Sequence, residues 1–228
     1  MAKIKFILLD IDDTLFPSTQ FSSLARENSV KAMIEAGLPC TYARGHAALL
    51  SIVRKKGSNY PGHFDDLCAY FKAKNPDKII AAGIVAYHNT KASILPYPQV
   101  MRTMIRLREE GYKLYVATNG NSIKQWDKLI RLGLHNLVHG AFISEGVGLE
   151  KSKGFYQRAL RSLGAKPSQA IMVGDHPEFD MSAAKQAGIT TVRVLSGKHA
   201  GKKAESDYRI KSFDEMLGIL GVRRDGRY

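Results

Sequence analysis

The sequence predicts an α/β fold, a doubly wound parallel sheet of Rossmann-like type with an inserted α-helical domain. Three observations lead there. Strand-like and helix-like segments alternate after residue 97, residues 18–95 carry helical patterns without strand signals, and the first strand signal runs directly into a cluster of aspartates. At 228 residues the chain can hold one sizeable core, or a core with a smaller domain inserted in it. The expected division is a core from 1–17 and 96–228 and a helical cap from 18–95.

In chain order, Phe6 to Leu9 is a run of strand formers that ends at Asp10. Helical patterns follow at Leu24 to Ala36, Ala43 to Lys55, His63 to Lys74 and Lys78 to Thr90. Leu95-Pro96-Tyr97-Pro98 then suits a stiff hinge, so a mobile cap over a rigid core is expected. Gln99 to Glu110 places Val100, Met104 and Leu107 on one helical face, stops at Gly111 and feeds a strand from Lys113 to Ala117. The unit repeats three times. Helix Ser122 to Leu132 stops at Gly133 before strand Ala141 to Ser144, and helix Gly154 to Leu163 stops at Gly164 before strand Ala170 to Val173. Helix Asp180 to Ala187 stops at Gly188 before strand Thr190 to Leu195, and such alternation implies parallel strands with right-handed crossovers.

Composition excludes several classes. With 44% hydrophobic and 24% charged residues the chain is an ordinary globular protein, and its apolar runs are strand-sized. No signal-peptide pattern opens it, so a cytoplasmic protein without a membrane span is expected. Cys40 and Cys68 match neither a zinc site nor a disulfide framework and are expected as free, mostly buried thiols. A net charge of +13 concentrates anions, whether phosphorylated metabolites or nucleic acid. The basic runs Arg54-Lys55-Lys56 and Lys202-Lys203 are short and lack interleaved aromatics, which disfavours nucleic acid. Oligomeric state is left open.

In open α/β sheets, ligands bind beyond the carboxyl ends of the strands. There the sequence offers Asp10, Asp12 and Asp13 after the first strand, Thr118-Asn119-Gly120 after the second, and Gly174-Asp175 with Asp180 after a later one. Carboxylates converging without histidine or cysteine describe an oxygen-rich site for a hard cation, Mg²⁺ where phosphate is also bound. If strand geometry persists through Asp10-Ile11-Asp12, both acids share a face, which allows one to attack and the other to transfer a proton. Asp13 with Thr14 suits the turn that follows.

Other features carry less. His135 and His139 stand at i, i+4 without an acidic partner and are expected to be structural. His176 follows Asp175, so it either touches substrate or covers the metal shell. Tyr87 and Lys91 share a helix face from which His88 turns away, which leaves cavity lining and helix capping equally open for this group with Asn89. Trp126 is expected as a core or interface anchor.

The run Asp10-Ile11-Asp12-Asp13-Thr14-Leu15 resembles the DxDxT motif of the haloacid dehalogenase (HAD) superfamily. Thr118 resembles its second motif, and Gly174-Asp175 with Asp180 its fourth. For the third motif, a lysine, Lys151 in Gly148-Leu149-Glu150-Lys151-Ser152-Lys153 is the best match and Lys153 the alternative. A helical insert between the first and second motifs is similar to the C1 cap of subfamily I. Cap segments Gly57-Ser58-Asn59-Tyr60, His63-Phe64-Asp65 and Ala86 to Lys91 are similar to those of archaeal glyceraldehyde 3-phosphate phosphatases.

The resemblance implies that Asp10 attacks phosphorus and Asp12 is the general acid and base. Family dehalogenases lack an acid at that second position, so Asp12 implies phosphate chemistry. It also implies that Mg²⁺ lies among Asp10, the backbone carbonyl of Asp12, Asp175 and Asp180. Thr118, the Asn119 amide and Lys151 would bind the phosphate of a small phosphorylated substrate. Two other readings stay open. A phosphomutase uses the same core, and a basic nucleic-acid or partner-binding protein could retain it.

Overall fold

The computed structural model describes residues 3–58 and 60–223. The chain divides into two compact units, residues 1–19 with 95–228 and residues 20–94.

Among the described residues the first unit is built on six parallel strands: β1 (Phe6–Leu9), β2 (Lys113–Thr118), β3 (Gly140–Ile143), β4 (Ala170–Gly174), β5 (Thr190–Val194) and β6 (Tyr208–Ile210). Their order across the sheet is β3-β2-β1-β4-β5-β6. The chain adds strands outward on one side of β1 and then returns to its other side, so the order reverses between β1 and β4. Buried on both faces, β4 is apolar throughout, as a central parallel strand must be.

Helices α5 (Val100–Glu109), α6 (Ser122–Arg131), α7 (Ser144–Val147), α8 (Lys153–Ser162), α9 (Ala183–Gln186) and α10 (Glu215–Ile219) join or follow the strands. In α8 the Ser152 hydroxyl caps the first turn by accepting from Phe155 N at 3.3 Å. The next turns bury Phe155, Tyr156, Ala159 and Leu160 against Leu8, Ala117 and Met172 of the sheet. Each such large apolar side chain contributes about 1.5–3 kcal/mol by leaving water.

The second unit is helical. It comprises most of α1 (Ser18–Glu35) with α2 (Tyr42–Lys56), α3 (His63–Tyr70) and α4 (Pro76–Ala92). Its own core joins Val30, Met33, Leu49, Leu67, Cys68 and Ile79. Cys40 and Cys68 are free thiols, half-buried and buried respectively. Of the Gly57 to Tyr60 segment, Asn59 lies outside the described residues. Among the described residues no helix is long and apolar enough to cross a membrane.

Several boundaries differ from expectation. The helix expected from Asp180 begins earlier, as a π-helical turn over Pro177–Ser182, and only then becomes α9. Pro177 suits a first turn, where no donor is needed, and the His176 ring accepts from Glu178 N and Phe179 N. The wider turn sets the position of Asp180. β6, α7 and α10 are elements that periodicity does not announce, being only three to five residues long. Trp126 is 36% exposed, so it is no core residue.

Candidate active site at the carboxyl ends of β1, β2 and β4

β1 and β4 are direct neighbours, paired from Phe6 with Ala170 to Leu9 with Val173. The pairing runs one residue further, with Asp10 N donating to Val173 O at 2.9 Å. Asp10 therefore stands level with Gly174, one position before Asp175 on the adjacent strand, and the π turn returns Asp180 to them. Ligand oxygens of Asp10, Asp175 and Asp180 lie within 4.8 Å of one another. All three residues are buried. Gly174 makes the approach possible, because a Cβ there would overlap the Asp180 side chain.

Lys151 sits in the same group, itself buried. Its Nζ donates to Asp10 Oδ1 at 2.6 Å and to Asp180 Oδ1. The second oxygen of Asp180 accepts from His176 N at 2.9 Å. Lys151, not Lys153, is the lysine at the carboxylates. Lys153 opens α8 with an exposed side chain.

One cation among three buried carboxylates is too little. Burial raises Asp10 to about 7, with Lys151 opposing and the charges of Asp180 and Asp12 adding to the rise. Asp175 reaches about 8 through burial first and then the charges of Asp10, Asp180 and Asp13. Burial would depress Lys151, but Asp10 and Asp180 outweigh it and hold the ammonium well above its usual range. A clustered, oxygen-only donor set that resists ionisation fits a divalent cation, whose charge would settle it.

Both carboxyls hold protons in the folded chain above 3.8, where an ordinary aspartate has lost its own. Their contribution to stability is complete at low pH and is lost as pH rises through about 7 and 8. In chelator, the melting temperature should fall between about pH 5 and pH 8. Magnesium chloride at about a hundred times its dissociation constant should return roughly 2.7 kcal/mol, a rise of about 5–10 °C. At one fixed magnesium concentration that rise should be larger at the alkaline end; equal rises at both ends would contradict the linkage.

The remaining predicted residues surround this group. Asp12 is not among the three clustered carboxylates; both its oxygens accept from Lys128 Nζ, at 2.7 and 2.6 Å. β1 ends at Leu9, so strand alternation does not carry Asp12 onto the face of Asp10. Asp13 takes a positive φ of 54° in the turn, and its carboxylate accepts from Thr19 N at 2.9 Å and from the Thr19 hydroxyl. Ser196 Oγ donates to its carbonyl.

Thr118 ends β2 and is buried. Asn119 Oδ1 accepts from Lys151 N at 2.8 Å, which ties the β2 loop to the lysine. His139 Nδ1 accepts from Leu114 N, so it serves the sheet rather than the site. The His176 ring packs tilted against those of Phe179 and His199, with ring centroids 4.5 and 4.4 Å away.

Two residues at this end of the sheet carry no sequence signal of their role. Gln125 Nε2 donates to Asn119 O at 2.5 Å and to Thr118 Oγ1 at 3.4 Å, holding the β2 loop. Lys128 stands one turn further along α6. Both read as ordinary polar positions of an amphipathic helix, and a polar residue there signals only a solvated face.

Comparison with known proteins identifies the family. Residues 4–188 match the family model described as a haloacid dehalogenase-like hydrolase. A protein of Methanopyrus kandleri named glyceraldehyde 3-phosphate phosphatase is 43% identical, over 97% of this chain and 98% of its own. A protein of Methanocaldococcus jannaschii with the same name is 42% identical over 95% of this chain and 97% of its own. The crystal structure of a HAD phosphatase from Thermococcus onnurineus shares the fold at a TM-score of 0.68 and 23% identity, covering 97% of this chain and all of that one. With a family model matched over most of its length and relatives above 40% identity, the chain belongs to the haloacid dehalogenase-like hydrolases.

Proposed function

We propose that the protein is a Mg²⁺-dependent phosphomonoester hydrolase acting on a small phosphorylated metabolite, glyceraldehyde 3-phosphate. One observation carries the reading: buried Asp10, Asp175 and Asp180 meet around Lys151 at the ends of adjacent parallel strands. The substrate rests on the names of the Methanopyrus and Methanocaldococcus relatives. Net charge of +13 suits an anionic substrate.

Asp10 is the nucleophile. Its carboxylate oxygen bonds to phosphorus as the ester oxygen departs, which gives an aspartyl phosphate. Asp12 gives its proton to the leaving alkoxide and then takes one from the water that attacks the intermediate. Lys151, Thr118 and the backbone amide of Asn119 hold the transferring oxygens and offset the charge facing Asp10. Asp10, the Asp12 carbonyl and Asp175 would hold Mg²⁺, with Asp180 ligating or bracing the shell. The bound cation supplies the positive charge that lets an anionic nucleophile meet an anionic phosphate. Residues 18–95 serve as a cap that reads the leaving group, and the cell compartment is the cytoplasm.

The test is a screen of phosphorylated metabolites for phosphate release, with Mg²⁺ and with chelator. Release from glyceraldehyde 3-phosphate, lost in chelator, is expected. Little net release together with a requirement for an activating bisphosphate would indicate a mutase instead. A salt-dependent nucleic-acid gel shift without any phosphatase activity would replace the enzyme reading.

A further inference from the structure

Lys128 is a cation at the site that the chemistry above does not use. Its Nζ meets both oxygens of Asp12 across 116 positions of sequence. The pair is partly shielded, with the two side chains 22% and 39% exposed. As a stabilising device it is weak, since water screens ion pairs this open. What it fixes is direction. The Asp12 backbone is already set by its bridge to Phe16 and by the turn in which Leu15 N donates to Ile11 O at 3.0 Å. Lys128 settles where the carboxylate points, and the Phe16 ring lies 6.0 Å from its ammonium.

The same helix face holds the other side of the site. Gln125 and Lys128 are i, i+3 neighbours on α6. Gln125 grips Thr118 and Asn119 while Lys128 grips Asp12. At its start α6 is itself fixed: Asn121 Oδ1 accepts from Lys124 N at 3.1 Å, and Glu145 accepts from Asn121 Nδ2 and Ser122 N at 2.6 and 2.8 Å. One rigid element therefore sets the loop after β2 against the loop after β1.

We propose that Lys128 is a positioning residue for Asp12: it places the carboxylate that protonates the leaving alkoxide in register with the phosphate-binding loop. The inference rests on the phosphatase reading, in which Asp12 is the general acid. In the step concerned, the bond from Asp10 oxygen to phosphorus forms, the ester P–O bond breaks, and a proton that the Asp12 carboxylate has first taken from water passes to the departing oxygen, while Lys128 keeps its hold on the other carboxylate oxygen. Lys128 touches neither phosphorus nor the ester oxygen; it acts through Asp12. A substrate whose leaving group needs no proton should therefore be indifferent to it.

The experiment compares kcat/KM for glycerol phosphate, an alkyl ester, with that for p-nitrophenyl phosphate, whose leaving group departs without protonation. Lys128→Met should lose about 10–100-fold on the alkyl ester and less than about threefold on the aryl ester. Lys128→Arg, which can still pair with Asp12, should recover most of the alkyl rate. In an Asp12→Asn background, adding Lys128→Met should cost nothing further on the alkyl ester, and this arm also serves if the single variant folds poorly. Equal losses on both esters, no loss on either, or an added loss in the Asp12→Asn background would overturn the proposal while wild-type activity still stands. A wild type that releases no phosphate from glyceraldehyde 3-phosphate or from either ester would instead remove the phosphatase reading, and this inference with it.

Discussion

Asp10→Asn should abolish phosphate release from every ester that the wild type hydrolyses, by about 10⁴-fold or more in kcat, and yet leave a folded protein. A carboxamide offers no anionic oxygen to phosphorus, so on the proposed mechanism no covalent intermediate should form. The stability side separates a lost nucleophile from a damaged scaffold. In chelator at about pH 8 the wild-type Asp10 is pressed toward ionisation in a buried place that resists it, since its value stands near 7. A neutral amide of the same size removes that burden, although Lys151 loses one of its two partners. The two effects oppose, and the melting temperature should move by only a few degrees, roughly the span of 1 kcal/mol. Measured together, phosphate release and thermal unfolding decide: retained turnover would remove Asp10 from the nucleophile role, and a collapsed melting transition would mean that it holds the fold instead.

The fold and the acidic group were legible for the same physical reason. A parallel strand buried on both faces must be apolar, so the place where Ile171, Met172 and Val173 give way to Gly174-Asp175 marks a strand end as well as a candidate ligand. The same holds where Leu9 meets Asp10. Choosing between Lys151 and Lys153 lay beyond the pattern, because two cations two positions apart in a loop have no period to separate them. The structure separates them by burial, with Lys151 among the carboxylates and Lys153 exposed on the first turn of α8. Lys128 and Gln125 lay further out of reach, since each acts across the fold on a partner that helical spacing cannot name. The π turn belongs with these. Pro177 announces a helix start, but the extra residue that brings Asp180 back to Asp10 depends on Lys151 Nζ and His176 N donating to its two oxygens.

Lys151→Met should give the largest loss of stability of any single change at the site. Lys151 is 5% exposed, and its ammonium serves Asp10 and Asp180 at once. Without it, buried carboxylates face one another with no cation between them. Breaking a buried pair from one side costs about 3–5 kcal/mol, a fall of about 6–20 °C for a chain of this size. The deficit should be greatest in chelator at alkaline pH. Asp10 and Asp175 already hold their protons to about 7 and 8 with the lysine present, and without it they hold them higher still. As pH falls toward about 5 both become neutral, the repulsion vanishes and the variant should approach the wild type. A divalent cation at alkaline pH should restore much of the lost stability, because it too neutralises the carboxylates. Activity should stay low under that same condition, since charge spent on the carboxylates does not replace an ammonium facing the transferring phosphate oxygens. Thermal melts across pH, with and without magnesium chloride, run beside phosphate release on the same samples, separate the two roles. Recovery of turnover along with stability would reduce Lys151 to a counter-ion for the acids and leave phosphate binding to Thr118 and the Asn119 amide.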